Sequence, residues 1–255
     1  MERAKERLDS LLLKRGLAPD EKTAQALILS GKVLVNGKPV DKVGSIFPAD
    51  VPIRLREEAE GHPYVSRGGI KLKFALDHFG VKVKNKVTMD VGASTGGFTD
   101  CLLQEGAKKV YAIDVGYGQL AWKLRQDKRV VVLERTNIRT FRPQGIITEA
   151  IDFAVIDVSF ISLRLVIPRI KDLLSPDGHL LALIKPQFEA PKEGVEKGGV
   201  VKDPNLRAAI VWEIKNFSEQ EGFLILGSVP SPLFGPAGNQ EFFLYARKKR
   251  NENGH

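Results

Sequence analysis

Lys71, Asp157, Lys185 and Glu241 lie in four short polar motifs and form a set able to take a proton from an alcohol. An alcohol has a very high pKa, so a lysine serves as its base only where burial or a neighbouring cation lowers the lysine's own pKa. Two lysines converging with two carboxylates would supply that environment, one lysine depressing the other while the acids orient both. Asp157 follows the apolar run Ala154-Val155-Ile156, and Lys185 follows Leu183-Ile184. In an open α/β sheet both positions fall at the carboxyl edge, where ligands bind. Glu241 opens Phe242-Phe243-Leu244, and Lys71 begins a helical pattern bearing Leu72, Ala75 and Phe79. Each residue alone could be an ordinary surface charge or cap. Lys185, between an apolar strand and Pro186, fits that plain reading least.

A second set is suited to hold a ligand. Asp90-Val91-Gly92-Ala93-Ser94-Thr95-Gly96-Gly97-Phe98 follows an apolar strand and opens a helix. Glycines there allow close backbone approach, and a helix start offers free N–H groups. The expected feature is a nucleotide-binding βα turn using Asp90, Gly92, Ala93, Ser94, Gly96, Gly97 and Phe98. Its spacing is neither the dehydrogenase Gly-x-Gly-x-x-Gly nor a phosphate loop. Asp114 ends the next strand, Tyr111-Ala112-Ile113, about twenty residues on, where a carboxylate suits a ribose diol. Asn137, after the third strand, is expected on the adenine side.

These residues need a scaffold. The runs 87–91, 110–113, 130–133, 153–156 and 180–184 alternate with turn or helix-like segments, which predicts a doubly wound α/β sheet. Runs at 223–226 and 241–246 are expected as edge strands, one of them antiparallel. Ahead of this region the pattern differs. A helix over 3–17 and another over 22–30 precede Val33-Leu34-Val35-Asn36-Gly37-Lys38-Pro39-Val40, whose Asn-Gly is a type I′ hairpin signal. A further strand is expected near 51–55. The division is therefore a small α+β module over 1–60, with 57–63 as linker, a catalytic domain over 61–247, and a disordered tail over 248–255.

The chain has 255 residues, 43% hydrophobic and 27% charged, with a net charge of +8 that favours an anionic partner such as RNA. A single cysteine, Cys101, excludes an internal disulfide and a cysteine-rich zinc site. The four histidines are scattered without ligand spacing, so no metal is expected. With no apolar run near the length of a membrane span and no signal-peptide block, the expectation is a soluble cytoplasmic protein.

Three resemblances sharpen this reading. Asp90-x-Gly92-x-x-x-Gly96 resembles motif I of S-adenosylmethionine-dependent methyltransferases. Arg7-Leu8-Asp9, Gly16, Ala26-Leu27-Ile28 and Gly31-Lys32-Val33-Leu34-Val35-Asn36-Gly37 resemble the small RNA-binding domain of ribosomal protein S-four. That family often opens its second helix with Ser-Arg, where this chain has Glu21-Lys22. The expected phosphate contacts are Arg3, Lys5, Arg7, Lys14, Arg15, Lys22 and Lys32, joined by Arg67. The Lys-Asp-Lys-Glu order is similar to that of FtsJ-type ribose methyltransferases. Tyr64-Val65-Ser66-Arg67-Gly68-Gly69-x-Lys71, Asp157-Val158-Ser159-Phe160-Ile161-Ser162, Lys185-Pro186-Gln187-Phe188-Glu189 and Gly235-Pro236-x-Gly238-Asn239-x-Glu241 resemble the hemolysin-A-like (TlyA) ribosomal RNA methyltransferase family, almost end to end. The resemblance implies 2′-O-methylation of ribosomal RNA or ribosomal subunits, with S-adenosylmethionine as donor, Lys185 as base and the other three charged residues tuning it.

Three competing classes are weaker. Base-amine methyltransferases carry Asp/Asn-Pro-Pro-aromatic where this chain has Asp157-Val158-Ser159-Phe160. An intact loop and tetrad argue against a non-catalytic ribosome-assembly factor. The absence of a span or a long basic amphipathic helix argues against a membrane-active hemolysin.

Overall fold

A computed structural model describes residues 5–29, 31–55, 63–235 and 237–250. The chain divides into two compact units, 1–66 and 67–255, each with its own apolar cluster. The expected linker at 57–62 lies outside the described residues, and the division falls six residues beyond the expected 60/61 boundary.

The first unit comprises β1 (Lys5–Arg7), α1 (Leu8–Lys14), α2 (Glu21–Leu29), β2 (Val33–Val35), β3 (Lys38–Val40), β4 (Ile46–Pro48) and β5 (Ile53–Leu55). The expected helix over 3–17 is shorter at both ends. Residues 5–7 are extended and pair antiparallel with β4, and the Leu8 amide donates to the Ser45 carbonyl at 2.8 Å. Lys-Glu-Arg is good helix sequence, but it carries no apolar face, so tertiary strand pairing overrides propensity. Leu8, Leu11 and Leu12 then pack with Ala24, Ile28, Val33 and Val35. Asn36 (φ 50°) and Gly37 (φ 75°) make the tight turn between β2 and β3. β4 was not expected from the sequence, because three residues ending in proline give almost no strand signal.

The second unit runs α3 (Gly68–His78), β6 (Val87–Val91), α4 (Gly97–Gln104), β7 (Lys109–Ile113), α5 (Trp122–Arg125), β8 (Val130–Leu133), β9 (Ile151–Ile156), α6 (Ile167–Leu173), β10 (Leu174–Ile184), α7 (Pro186–Glu189), α8 (Pro204–Gln220), β11 (Phe223–Pro230) and β12 (Phe242–Lys248). Seven strands form one sheet in the order β11-β12-β10-β9-β6-β7-β8. β6 to β10 are parallel, and β12 is antiparallel to both its neighbours. The expectation that both late strands lie at the edge is corrected: β12 is inserted between β10 and β11. Its near-continuous apolar run, with Phe243, Leu244 and Ala246 fully buried, marks burial on both faces. The expected tail is corrected too. Lys248 ends β12 and donates to the carbonyls of Lys171 and Leu174 at 2.7 and 2.8 Å, and Arg250 binds Asp177. Residues 251–255 lie outside the described residues.

Candidate active site

Strand winding reverses between β6 and β9. From β6 the chain steps to β7 and β8 on one side, then crosses to β9 and β10 on the other. In such sheets the crevice opens at the carboxyl ends of the two strands flanking the reversal. Register places the site residues there. Val91 pairs with Ile156, so the glycine loop and Asp157 are neighbours, and the Asp157 amide donates to the Val91 carbonyl at 2.9 Å. Ile184 pairs with Phe242, which sets Lys185 opposite Glu241. With strands spaced about 4.8 Å apart, Asp157, Lys185 and Glu241 fall within roughly 10 Å along one sheet edge.

The loop after β6 is shaped by the protein itself. Gly92 (φ 88°) is pressed on the next strand, since a Cβ there would stand 2.4 Å from the Asp157 carbonyl oxygen. At Gly96 (φ 96°) a Cβ would stand 2.2 Å from Leu124 Cδ1. Positive φ at both positions, and the backbone contact at Gly92, favour glycine here on grounds internal to the fold. Ser94, held at φ 48°, donates its amide to Asp114 Oδ2 at 2.8 Å, and the Gly116 amide donates to Asp114 Oδ1 at 2.7 Å. Asp114 is thus fixed at the end of β7 with carboxylate lone pairs to spare. Ala93, Gly96 and Gly97 are buried beside it. Phe98 turns into the core, 3% exposed and 6.3 Å from the Phe243 ring, so only its backbone can meet a ligand. Asn137 is exposed and spends its Oδ1 on the Arg139 amide at 3.0 Å.

Asp90 is fully buried. Thr99 Oγ1 donates to its Oδ2 at 2.7 Å, and Oδ1 has no partner among the described residues. Burial, with Asp157 and Asp114 adding negative charge nearby, pushes its carboxyl up to about 7. A buried carboxyl oxygen without a donor, beside the glycine loop, fits a ligand that brings N–H or O–H groups.

The tetrad resolves into two ion pairs. Lys71 Nζ on α3 lies 2.5 Å from Glu241 Oε2, with side chains 11% and 1% exposed. Lys185 Nζ lies 2.6 Å from Asp157 Oδ1, with side chains 11% and 23% exposed. Lys185 also donates to Ser159 Oγ at 2.9 Å, and the Asp157 Oδ1 that faces its ammonium is a buried atom. Nothing local in the sequence marks Ser159 for this contact, since its partner lies 26 residues on. The next residue, Phe160, stands at φ 64° and 90% exposed, its ring 5.0 Å from that of Phe188. Glu189 accepts from Ser162 Oγ at 2.6 Å and the Leu163 amide at 2.8 Å, so it fixes the segment that follows β9. Burial raises its carboxyl above the usual range. A lysine amine, an orienting hydroxyl and a carboxylate beside a ligand loop can remove a proton from a hydroxyl and stabilise the ammonium that results.

The expected RNA contacts divide into two kinds. Arg15, though exposed, donates to the carbonyls of Val51 and Ala49 at 2.7 and 2.6 Å, so its guanidinium also braces the first unit. Arg7 grips the buried Asp9 through two hydrogen bonds, 3.0 and 2.5 Å, while 54% of its side chain stays exposed. Lys14 pairs with Glu6 at 2.5 Å. Lys5 and Lys22 are exposed, Lys32 is half-buried, and Arg67 is exposed at the start of α3. Arg3 lies outside the described residues.

Comparison with known proteins adds to this geometry. The family model described as FtsJ-like methyltransferase matches residues 64–248, and that of the S4 domain matches residues 6–50. A protein provisionally named the rRNA methyltransferase YqxC, from Bacillus subtilis (strain 168), is 51% identical over 94% of this chain and 85% of its own length. The 16S/23S rRNA (cytidine-2′-O)-methyltransferase TlyA of Mycobacterium tuberculosis is 45% identical over 94% of this chain and 89% of its own length. A solved chain from Streptococcus thermophilus, provisionally named a hemolysin, has a TM-score of 0.73 at 41% identity, covering 98% of this chain and 91% of its own. Among the described residues no helix is long and apolar enough to cross a membrane.

Proposed function

Because this chain belongs to the FtsJ-like methyltransferase family, we propose that it transfers a methyl group from S-adenosylmethionine to the 2′-hydroxyl of a ribosomal RNA nucleotide. The observation that carries the reading is the placement of Lys185, 2.6 Å from Asp157 and 2.9 Å from Ser159 at the carboxyl edge beside the glycine loop. The printed substrate of the Mycobacterium relative, a cytidine ribose, supports the same chemistry here.

The residues present fit the cofactor. Asp114 would hold the ribose hydroxyls, the amides after β6 would line the chain of the amino acid, and the unpartnered Asp90 oxygen would meet N–H donors directly or through water. When bound, S-adenosylmethionine supplies a methyl group on a positive sulfur. Lys185 Nζ takes the proton of the ribose hydroxyl as the oxygen becomes nucleophilic, and Asp157 stabilises the ammonium so formed. Ser159 holds Nζ on its line of approach. Lys71 and Glu241, sealed against each other, fix the neighbouring strand end. The exposed Phe160 ring, braced by Phe188, offers a stacking surface for a base next to the reacting ribose. The S4 unit would grip phosphates through Lys5, Arg7, Lys14, Lys22 and Lys32, with Arg67 at the entry to the second unit. Ribosomal subunits in the cytoplasm are the substrate this chemistry implies.

The test is transfer of tritiated methyl groups to purified ribosomal subunits, followed by nuclease digestion to locate the label. Label on a ribose is expected. Label on a base would retain a methyltransferase and reject the proton-abstraction chemistry.

A further inference from the structure

The motif that delivers Glu241 contains a second polar residue whose role reaches beyond its own turn. Asn239 is buried, 1% exposed, and both ends of its amide are spent on a segment some forty residues earlier. Its Oδ1 accepts the Val201 amide at 2.9 Å, and its Nδ2 donates to the Gly199 carbonyl at 2.7 Å. Its own carbonyl accepts the Gly235 amide at 2.9 Å, which closes the turn. Gly235 in turn is the floor under the Glu241 carboxylate: a Cβ there would stand 2.5 Å from Glu241 Oε1. The other oxygen of Glu241 meets Lys71, and the Glu241 carbonyl accepts the Ser231 amide at 2.8 Å.

On the methyl-transfer reading above, we infer that Asn239 is a positioning residue, clamping the 199–201 segment to the 235–241 turn so that Glu241 keeps its carboxylate on Lys71. Gly198 and Gly199, at φ 99° and 77°, make a sharp bend between the bridged residues Glu196 and Val200, and the two Asn239 bonds tie that bend to the turn carrying Glu241. Asparagine suits the task because one side chain must both donate and accept. Aspartate keeps the acceptor for Val201 and loses the donor to Gly199; alanine loses both. A misplacement of about 1 Å at a reacting centre is enough to cost on the order of 100-fold in rate, so the effect is visible without any contact between Asn239 and substrate.

The experiment is a double-mutant cycle in single-turnover transfer of tritiated methyl groups to ribosomal subunits. The proteins are the full chain and its Asn239→Ala, Glu241→Gln and doubly substituted forms, with S-adenosylmethionine affinity and thermal melting measured on each. Asn239→Ala is expected to slow transfer about 30-fold with cofactor affinity unchanged, and to slow it less than about 3-fold when Glu241 is already glutamine. Asn239→Asp, with one of the two bonds retained, is expected to fall between wild type and alanine; it stands in if the alanine form does not fold. The same loss in both backgrounds, or wild-type transfer by a folded variant, would overturn the proposal. Failure of both variants to fold would assign Asn239 to the fold alone and overturn it as well. Absence of ribose methylation by the wild-type chain would instead reject the underlying reading of function.

Discussion

The two lysine–carboxylate pairs share their chemistry and differ in their access. Lys71 and Glu241 are closed off, with the carboxylate 1% exposed. Lys185 is no more exposed than Lys71, but its partner Asp157 is 23% open, where Glu241 is 1%. A hydroxyl from outside can approach the second pair and not the first. Burial of a matched pair holds geometry, whereas a partly open pair can exchange a proton. The roles proposed above follow this contrast, with proton transfer at Lys185 and structural tuning at Lys71.

The largest effect should come from unbalancing the closed pair. Glu241→Gln leaves the Lys71 ammonium buried without its counter-charge, a change worth about 5 kcal/mol. For a unit of this size that is a fall in Tm of roughly 10–20 °C. Asp157→Asn should cost less than half as much in the same melting experiment, because water reaches the open pair. Equal costs would erase the distinction in access.

Asp90, which faces Asp157 and Asp114, tests the electrostatics behind the open pair. Folded, its carboxyl stays protonated up to about pH 7; its ordinary value is 3.8. The folded chain therefore holds an extra proton between those limits. Stability falls as pH rises from about 4 to 7 and is level above, on the order of 4 kcal/mol in all. Asp90→Asn should remove that slope from melting temperatures measured without cofactor. An unchanged slope would place the titration on another group.

Ser159→Ala removes the hydroxyl that aims Lys185 and should lower kcat about tenfold with little change in cofactor affinity, about 1.4 kcal/mol. A matching change at Thr99, which serves Asp90, should act on cofactor affinity instead. If both changes moved the same constant, proton transfer and cofactor binding would not be separable along this edge.

The smallest effect concerns the first unit. Lys5→Ala should weaken RNA binding modestly and reduce the salt slope by about one phosphate contact. Arg15→Ala should leave that slope unchanged and lower the melting temperature, since its guanidinium serves the Ala49 and Val51 carbonyls. A lowered slope for Arg15→Ala would place it on the RNA face.

Local signals in the sequence were readable where chemistry is local. The Asn36-Gly37 turn, the glycine loop after β6 and the apolar runs of the parallel strands all depend on near neighbours in the chain. What could not be read depends on distant partners. Residues 5–7 became a strand because β4 lies beside them, and β12 moved inside the sheet because β11 takes the edge. Phe98 looked like part of a cofactor loop, yet Phe243 receives its ring. Asn239 stood in plain view within its motif, but its partners at 199 and 201 are visible only in the fold. Spacing brought the four charged residues to notice, and it gave no sign that they would sort into one closed and one open pair.

The most direct measurement is single-turnover methyl transfer by Lys185→Ala, with S-adenosylmethionine affinity measured on the same protein. Loss of roughly 1,000-fold in rate with cofactor affinity retained is expected of a general base. Transfer near the wild-type rate would contradict the assignment of proton transfer to the open pair.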